Sequence, residues 1–133
     1  MQRGHEVRAR ACAFVLAAII AAVFPQRSFA QPAPTFQSDC RGLRDAVATL
    51  KNPDGDLVTI AVEGDLTIVH SDGALVYLVV CRAPNPQVMC VTYETNDRKV
   101  GDRVILTGAY VPRGPNHIQL DPCLHHPPGN PPR

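Results

Sequence analysis

Residues 75–94 read LVYLVVCRAPNPQVMCVTYE and decide the fold, because they hold two apolar runs around a loop with two prolines. Both runs are rich in valine and contain tyrosine, and these residue types are favoured in β-strands. The prolines interrupt the strand pattern and place a turn between the runs. The segment therefore predicts a β-hairpin with strands over Leu75–Cys81 and Val88–Glu94.

The two cysteines of this hairpin predict its register. With the loop centred, Cys81 lies directly opposite Cys90, and one face is apolar throughout: Val76, Leu78, Val80, Met89, Val91 and Tyr93. A slip of one residue would turn every side chain of one strand to the other face. We therefore expect a Cys81–Cys90 disulfide, which leaves Cys40 and Cys123 to form a second bond. The four cysteines that follow residue 30 allow three pairings, and their spacing lacks the C-x-x-C that is typical of zinc sites.

Three further strands and one helix are predicted around the hairpin. Alternating residues predict strands over Leu57–His70, Asp102–Val111 and His117–Asp121, with a bulge or sharp bend at Gly64 in the first. The side chains expected to point inward from the last two are Val104, Leu106, Ile118 and Leu120. A helix is predicted from about residue 38 to residue 50, because apolar residues recur there at helical spacing.

The first thirty residues have the three parts of a secretory signal peptide. Residues 1–10 contain three arginines, residues 11–24 are uncharged and apolar, and Ser28-Phe29-Ala30 offers small residues for cleavage. The apolar run is shorter than the roughly 20 residues of a membrane span. We expect cleavage after Ala30, a secreted or periplasmic protein, and no membrane span in the mature chain.

The mature chain divides into a leader, one domain and a tail. Residues 31–37 are predicted to be a flexible leader, residues 38–123 the folded domain, and residues 124–133 a proline-rich tail. Removal of residues 1–30 takes away four arginines and one glutamate, so nine basic and eleven acidic residues remain and the formal charge is −2. Nucleic-acid binders usually carry a basic excess, so this charge does not favour a nucleic acid as partner. An even number of cysteines in an exported domain indicates disulfides.

Three segments carry a resemblance to a known family: VTIAVEGDLTIV at 58–69, KVGDRVILTGAYV at 99–111 and HIQLD at 117–121. With the hairpin between them, they resemble an OB-fold of the nucleic-acid-binding, anticodon-binding-like type. The resemblance implies an all-β, five-stranded Greek-key barrel of OB type, here with a short N-terminal helix. It also implies a ligand site across strands two and three, between the strand 1–2 and strand 4–5 loops.

The expected function is an exported, non-enzymatic binding module whose ligand is a protein, an oligosaccharide or a short nucleic acid of the envelope or extracellular space. The residues predicted to bind it are Tyr77, Arg82, Thr92, Arg113 and His117. No cofactor is predicted, and the contiguous His70-Ser71-Asp72 is typical of a turn and not of a catalytic triad. The alternative is a metal-handling or redox accessory protein that uses Cys123, His125 and His126, and it requires Cys123 to be a free thiolate.

Overall fold

The fold consists of six strands and one short helix in the part of the chain that a computed structural model describes, residues 33–51 and 57–129. The predicted signal peptide, the start of the leader and the end of the tail lie outside the described residues. In chain order the elements are β1 Phe36–Asp39, α1 Leu43–Ala48, β2 Thr59–Ser71, β3 Val76–Val80, β4 Gln87–Thr92, β5 Arg103–Gly114 and β6 His117–His126. Within the described ranges, no helix is long and apolar enough to cross a membrane.

Five of the strands close into a barrel. Their order is β2-β3-β4-β6-β5, and β5 pairs back onto β2. The β4–β6 pairing is parallel, and the other pairings of the barrel are antiparallel. This arrangement is compatible with an OB-like fold. The interior is filled by apolar side chains, and the four residues expected to point inward from β5 and β6 are buried, as predicted: Val104, Leu106, Ile118 and Leu120.

The long strand β2 closes the barrel because it pairs with two different strands along its length. Its first half, up to Asp65, pairs with β5, and its second half, from Leu66, pairs with β3. Gly64 lies at the change of partner, where a Cβ would stand 2.9 Å from the Sγ of Cys40 and 3.1 Å from the Cβ of Val80. Only glycine fits such a close approach without movement of its neighbours. The irregular pairing itself falls two to four residues later, between Leu66 and Ile68.

The segment before the barrel is more ordered than the sequence suggests. Phe36 and Gln37 belong to the expected flexible leader, yet they lie in β1, which pairs in parallel with the first half of β2. The helix is also shorter than predicted, because β1 and a turn take up its first residues. In that turn the backbone N–H of Gly42 donates to the Oδ1 of Asp39 at 2.8 Å, and this bond lowers the pKa of the Asp39 carboxyl.

The helix contributes a single fully buried residue to the core. Leu43 at the start of α1 has 0% exposure and belongs to the same apolar cluster as the strands. Burial of a leucine side chain stabilises a fold by about 1.5–3 kcal/mol. The helix therefore contributes to the core although it is only six residues long.

The predicted register of the β3–β4 hairpin is wrong. Val80 pairs with Val88 instead of Val91, a shift of three residues, and Leu78 pairs with Cys90. Because the shift is odd, every side chain of β4 faces the opposite way from the prediction. Tyr93 was expected inside and is 80% exposed. Apolar residues occupy both faces of β4, so the alternation in the sequence does not distinguish the two registers.

The predicted disulfide pairing is wrong for the same reason. The bonds are Cys40–Cys81 and Cys90–Cys123, with Cα–Cα distances of 5.3 and 5.4 Å. Cys81 is no longer opposite Cys90, and its φ of 69° turns the chain away from the strand direction. One bond joins the end of β1 to the end of β3, and the other joins β4 to β6. Two disulfides of this kind are typical of a protein that folds in an oxidising compartment.

The last strand extends into the expected tail. Residues 124–126 were placed in the proline-rich tail, but they belong to β6, where His125 pairs with Leu106 and His126 with Ile105. The prolines that suggested a tail begin only at Pro127. The pairing is possible because β5 is a strand of twelve residues that offers a partner over the whole length of β6.

Candidate functional site

A concave pocket on the outside of the barrel is the best candidate for a binding site. It has a volume of about 340 Å³, and we call it the outer pocket. Its lining residues come from β2, β3, β4, β5 and β6: Ile68, Val79, Gln87, Met89, Arg113, His117, Ile118 and Gln119. Small-molecule sites in proteins have volumes of about 300–1,000 Å³, so the outer pocket lies at the lower end of that range.

The floor of the outer pocket is an apolar row that crosses three strands. Strand pairing places Ile68 beside Val79 and Val79 beside Met89. The residues on either side of Val79 and Met89 in their strands are in the core, so these two side chains point outward. Ile68 is 46% exposed, which is unusual for an isoleucine in a barrel strand. The row therefore presents an apolar surface to whatever enters the pocket.

The polar rim of the pocket is organised by the β5–β6 hairpin. The Nε of Arg113 donates to the Oε1 of Gln119 at 2.9 Å, and the Nε2 of Gln119 donates to the Oδ2 of Asp121 at 3.1 Å. Gln119 is also the strand neighbour of Met89, so these hydrogen bonds lie directly beside the apolar row. It fixes the guanidinium of Arg113 beside the pocket through one nitrogen.

The other end of the rim is formed by Gln87 and His117, which are strand neighbours in the parallel β4–β6 pairing. The backbone N–H of Gln87 donates to the carbonyl oxygen of Asn116 at 2.9 Å, so the start of β4 is joined to the β5–β6 turn. Among the described residues, the side-chain amide of Gln87 has no hydrogen-bond partner. It is therefore free to bind a polar group in the pocket.

Arg44 of α1 holds the two loops that flank this end of the pocket. Its guanidinium donates to the carbonyl oxygen of Pro84 at 2.9 Å, to the Oδ1 of Asn116 at 2.9 Å and to the carbonyl oxygen of Pro115 at 3.4 Å. Pro84 lies in the β3–β4 loop, and the other two residues form the β5–β6 turn. The helix thus positions the rim from outside the barrel.

Two of the five residues predicted to bind ligand, Arg113 and His117, line the outer pocket. Arg82 is exposed in the β3–β4 loop but does not line it. Thr92 was expected on the outer face and is instead buried at 8% exposure, opposite Val76, because of the shifted register.

Tyr77 is on the outer face, as expected, but its polar group is already in use. Its hydroxyl donates to the Oδ2 of Asp72 at 3.0 Å, and its ring stacks on His70 with centroids 6.1 Å apart. The hydrogen bond to the Asp72 carboxylate raises the pKa of Tyr77. The backbone N–H groups of Leu75 and Ala74, together with this hydroxyl, lower the pKa of Asp72. Tyr77 therefore stabilises the β2–β3 turn and lies outside the pocket.

Sequence reasoning missed the floor of the pocket. Ile68 and Met89 look like core residues, since an apolar residue in a strand is usually buried. The predicted register turned Met89 inward, which hid it from consideration. One signal was present: Gln119 lies between the inward residues Ile118 and Leu120, so alternation alone places it on the outer face.

A second, charged cleft lies beside the Cys40–Cys81 disulfide, with a volume of about 290 Å³. At this cleft Arg103 forms ion pairs with Glu63 at 2.8 Å and with Asp65 at 3.0 Å. The hydrogen bonds to these carboxylates, that to Glu63 first, raise the pKa of Arg103. Because the charges are paired with one another, the cleft has the character of a surface ion-pair network.

The residues of the alternative metal site do not come together as metal ligands. Cys123 is in a disulfide with Cys90, so it offers no thiolate. The Nε2 of His125 is 2.9 Å from the carbonyl oxygen of Glu94, and the Nδ1 of His126 is 3.3 Å from that of Pro127. In residues 33–51 and 57–129, no three histidine, cysteine or acidic side chains are grouped to hold a metal ion.

No protein-family model matches the chain, and no curated protein matches its sequence. The outer pocket is identified as the candidate site from its geometry.

Proposed function

We propose that the protein is an exported, non-enzymatic binding module of OB type that binds its ligand in the outer pocket. The observation that carries this proposal is the pocket itself, an apolar floor across β2, β3 and β4 with a polar rim from the β5–β6 hairpin. In OB-folds the ligand lies across strands two and three and beside the strand 4–5 loop, which correspond here to β3, β4 and the β5–β6 turn. The proposal is therefore supported both by the concave surface and by its position in the barrel.

The chemistry of the lining favours binding over catalysis. The pocket is lined by apolar side chains, two glutamines, one arginine and one histidine, with no carboxylate, hydroxyl or thiol among them. A nucleophilic mechanism needs a nucleophile and a base within hydrogen-bond reach of each other. These residues supply at most a base, whereas apolar walls with a few polar groups are typical of ligand sites.

Export is supported by two independent features. The first thirty residues have the pattern of a signal peptide. The two disulfides are typical of secreted and periplasmic proteins, since cytosolic proteins are kept reduced. The ligand is therefore sought in the envelope or the extracellular space.

Met89 makes the proposal testable with one signal. It is the single methionine of residues 31–133. Mature protein labelled with ¹³C-methyl methionine therefore has one methionine methyl resonance from these residues, and it reports on the pocket floor. We would titrate this protein with glycans, oligonucleotides, peptides and small amphiphiles. A ligand of the outer pocket is expected to shift the Met89 methyl signal.

Two matched variants separate the pocket from the rest of the surface. Ile68→Glu places a charge on the apolar floor and is expected to abolish binding. Val100→Glu makes the same kind of change at an exposed aliphatic residue away from the pocket, and it should leave binding intact. Equal binding by both variants would place the site elsewhere, and a complete absence of ligands in the screen would refute the function.

A further inference from the structure

We infer that the outer pocket binds a small amphipathic carboxylate, that is, an apolar chain or ring that carries one anionic group. This inference rests on the proposed function and adds the class of ligand. It depends on three properties of the pocket: an apolar floor of limited size, a rim whose charged lining group is cationic, and two central floor strands, β3 and β4, that are paired on both sides.

The floor fits a small apolar group. Ile68, Val79 and Met89 form a continuous row. Methionine is flexible and polarisable, so it adapts to chains and rings of different shapes. At about 340 Å³ the pocket holds a compact ligand, since larger ligands occupy sites toward the upper end of the usual range.

The rim fits an anion. Arg113 is the charged lining residue, His117 is the second basic one, and no acidic residue lines the pocket. The nearest acid of the rim, Asp121, already accepts a hydrogen bond from Gln119. Arg113 uses its Nε to bind Gln119, so its two terminal nitrogens remain for a ligand. Those two nitrogens on one planar group suit the two oxygens of a carboxylate.

The paired strands argue against an extended peptide as the occupant. A peptide that adds to a sheet needs a strand edge with free backbone groups. Beneath the pocket, β3 lies between β2 and β4, and β4 lies between β3 and β6. Over these two central strands, binding therefore uses side chains, which suits a small molecule better than an added peptide strand. The half of β2 that carries Ile68 pairs with β3 alone among the described strands.

The lining also argues against a nucleic-acid strand. Proteins that bind single strands stack successive bases on aromatic rings. No phenylalanine, tyrosine or tryptophan lines the outer pocket, and the nearby ring of Tyr77 already stacks on His70. The formal charge of −2 for residues 31–133 gives no general attraction for phosphates.

Three probes of equal chain length test the inference: octanoate, octanol and octylamine, each used below the concentration at which it forms micelles or a separate phase. Binding to mature protein would be measured by calorimetry and by the shift of the Met89 methyl signal. Octanoate is expected to bind most tightly and octylamine most weakly. Arg113→Gln should lower the affinity for octanoate by about tenfold or more, because a hydrogen bond to a charged group is lost. The affinity for octanol should change less than about twofold.

Three further variants keep the test specific. Arg113→Lys keeps the charge and should retain part of the octanoate affinity, whereas Arg113→Glu should abolish it. Arg41→Gln removes an exposed arginine away from the pocket and should leave octanoate binding unchanged. Arg113 is exposed, so these variants are expected to fold, and a two-dimensional amide spectrum checks that they do.

The outcomes separate this inference from the proposed function. Equal affinity for octanol and octanoate, with no effect of Arg113→Gln, would overturn the anionic ligand. A shift of the Met89 signal by a peptide, glycan or oligonucleotide, and by no amphiphile, would also overturn it while the proposed function stands. No shift with any probe would refute both.

Discussion

The guanidinium of Arg44 in α1 donates a hydrogen bond of 2.9 Å to the Oδ1 of Asn116 in the turn between β5 and β6. The two residues are 72 positions apart in the sequence. His117, the residue that follows this turn, lines the outer pocket. A helix outside the barrel thus holds part of the candidate site in place.

Replacement of this arginine should loosen the turn more than it destabilises the fold. Arg44→Ala removes three hydrogen bonds to the flanking loops, all of them exposed. We expect faster hydrogen exchange of the amide of Gln87, which donates to Asn116, with little change in the midpoint of urea unfolding. Arg41→Ala is the matched control, and equal exchange rates in the two variants would contradict the positioning role.

The disulfide pairing can be read from a tryptic digest without reduction. Cleavage after arginine and lysine places the four cysteines in separate peptides, because Arg41, Lys51, Arg82, Arg98 and Arg113 lie between or beside them. We expect the peptide ending at Arg41 to be joined to peptide 52–82, and peptide 83–98 to peptide 114–133. A cross-link between 52–82 and 83–98 would instead restore the Cys81–Cys90 pairing.

Loss of either bond should lower stability by a similar amount. The sequence separations are 41 and 33 residues, for which the chain-entropy relation gives about 3–4 kcal/mol each. The double variants Cys40→Ala with Cys81→Ala, and Cys90→Ala with Cys123→Ala, would be compared by urea unfolding. A stability unchanged within error for either pair would show that its bond does not constrain the unfolded chain.

Asp72 should make stability depend on pH at the acidic end. Its pKa is lowered in the folded protein by hydrogen bonds from Leu75, Ala74 and Tyr77, so its ionised form stabilises the fold above the unfolded pKa of 3.8. That contribution is lost as the pH falls through the lower, folded pKa. We therefore expect Asp72→Asn to lower the free energy of unfolding at pH 7. Its difference in this free energy from the wild-type protein should become smaller at acidic pH.

The control for this prediction is an exposed acid without such bonds. Glu94→Gln changes an exposed glutamate whose carboxylate has no hydrogen bond among the described residues. Urea unfolding at neutral and acidic pH should show no comparable pH-dependent loss for this variant. A constant difference between Asp72→Asn and wild type at every pH would rule out the charge as the cause.

Gly64→Ala should destabilise the barrel through the contact with the first disulfide. The added Cβ would stand 2.9 Å from the Sγ of Cys40, closer than side chains normally approach. Overpacking of this kind costs about 1–3 kcal/mol. In a background with Cys40→Ala and Cys81→Ala the sulfur is gone, so the cost should fall, and a double-mutant cycle measures the coupling. Additive effects would show that Val80 alone resists the added methyl group.

The sequence predicted the barrel strands well, because each has a run of β-favouring residues that is followed by turn-forming or polar residues. All five were placed within a few residues of their observed bounds, apart from the extended end of β6. The irregularity expected at Gly64 from a glycine inside a strand pattern lies instead between Leu66 and Ile68, while Gly64 itself marks the change of partner strand. Local signals of this kind do not depend on which strands are neighbours.

What the sequence did not predict depends on tertiary pairing. The strand β1 has only four residues and exists because the first half of β2 offers it an edge. The hairpin register was ambiguous because both faces of β4 are apolar, and the error in register carried over to Thr92 and to both disulfides. Of the residues that line the outer pocket, Arg113 and His117 were predicted as binding residues because they flank a recognisable turn, Met89 was expected on the apolar inner face, and Ile68 was not singled out.

Among the four cysteines of residues 31–133, the two disulfides join consecutive ones, the first with the second and the third with the fourth. The two covalent loops are therefore neither nested nor interlocked. When a chain crosses a membrane from its N-terminus, Cys40 and Cys81 emerge before Cys90 does. An oxidant that joins thiols in their order of emergence then produces the native pairs directly, so this protein should mature without the help of a disulfide isomerase.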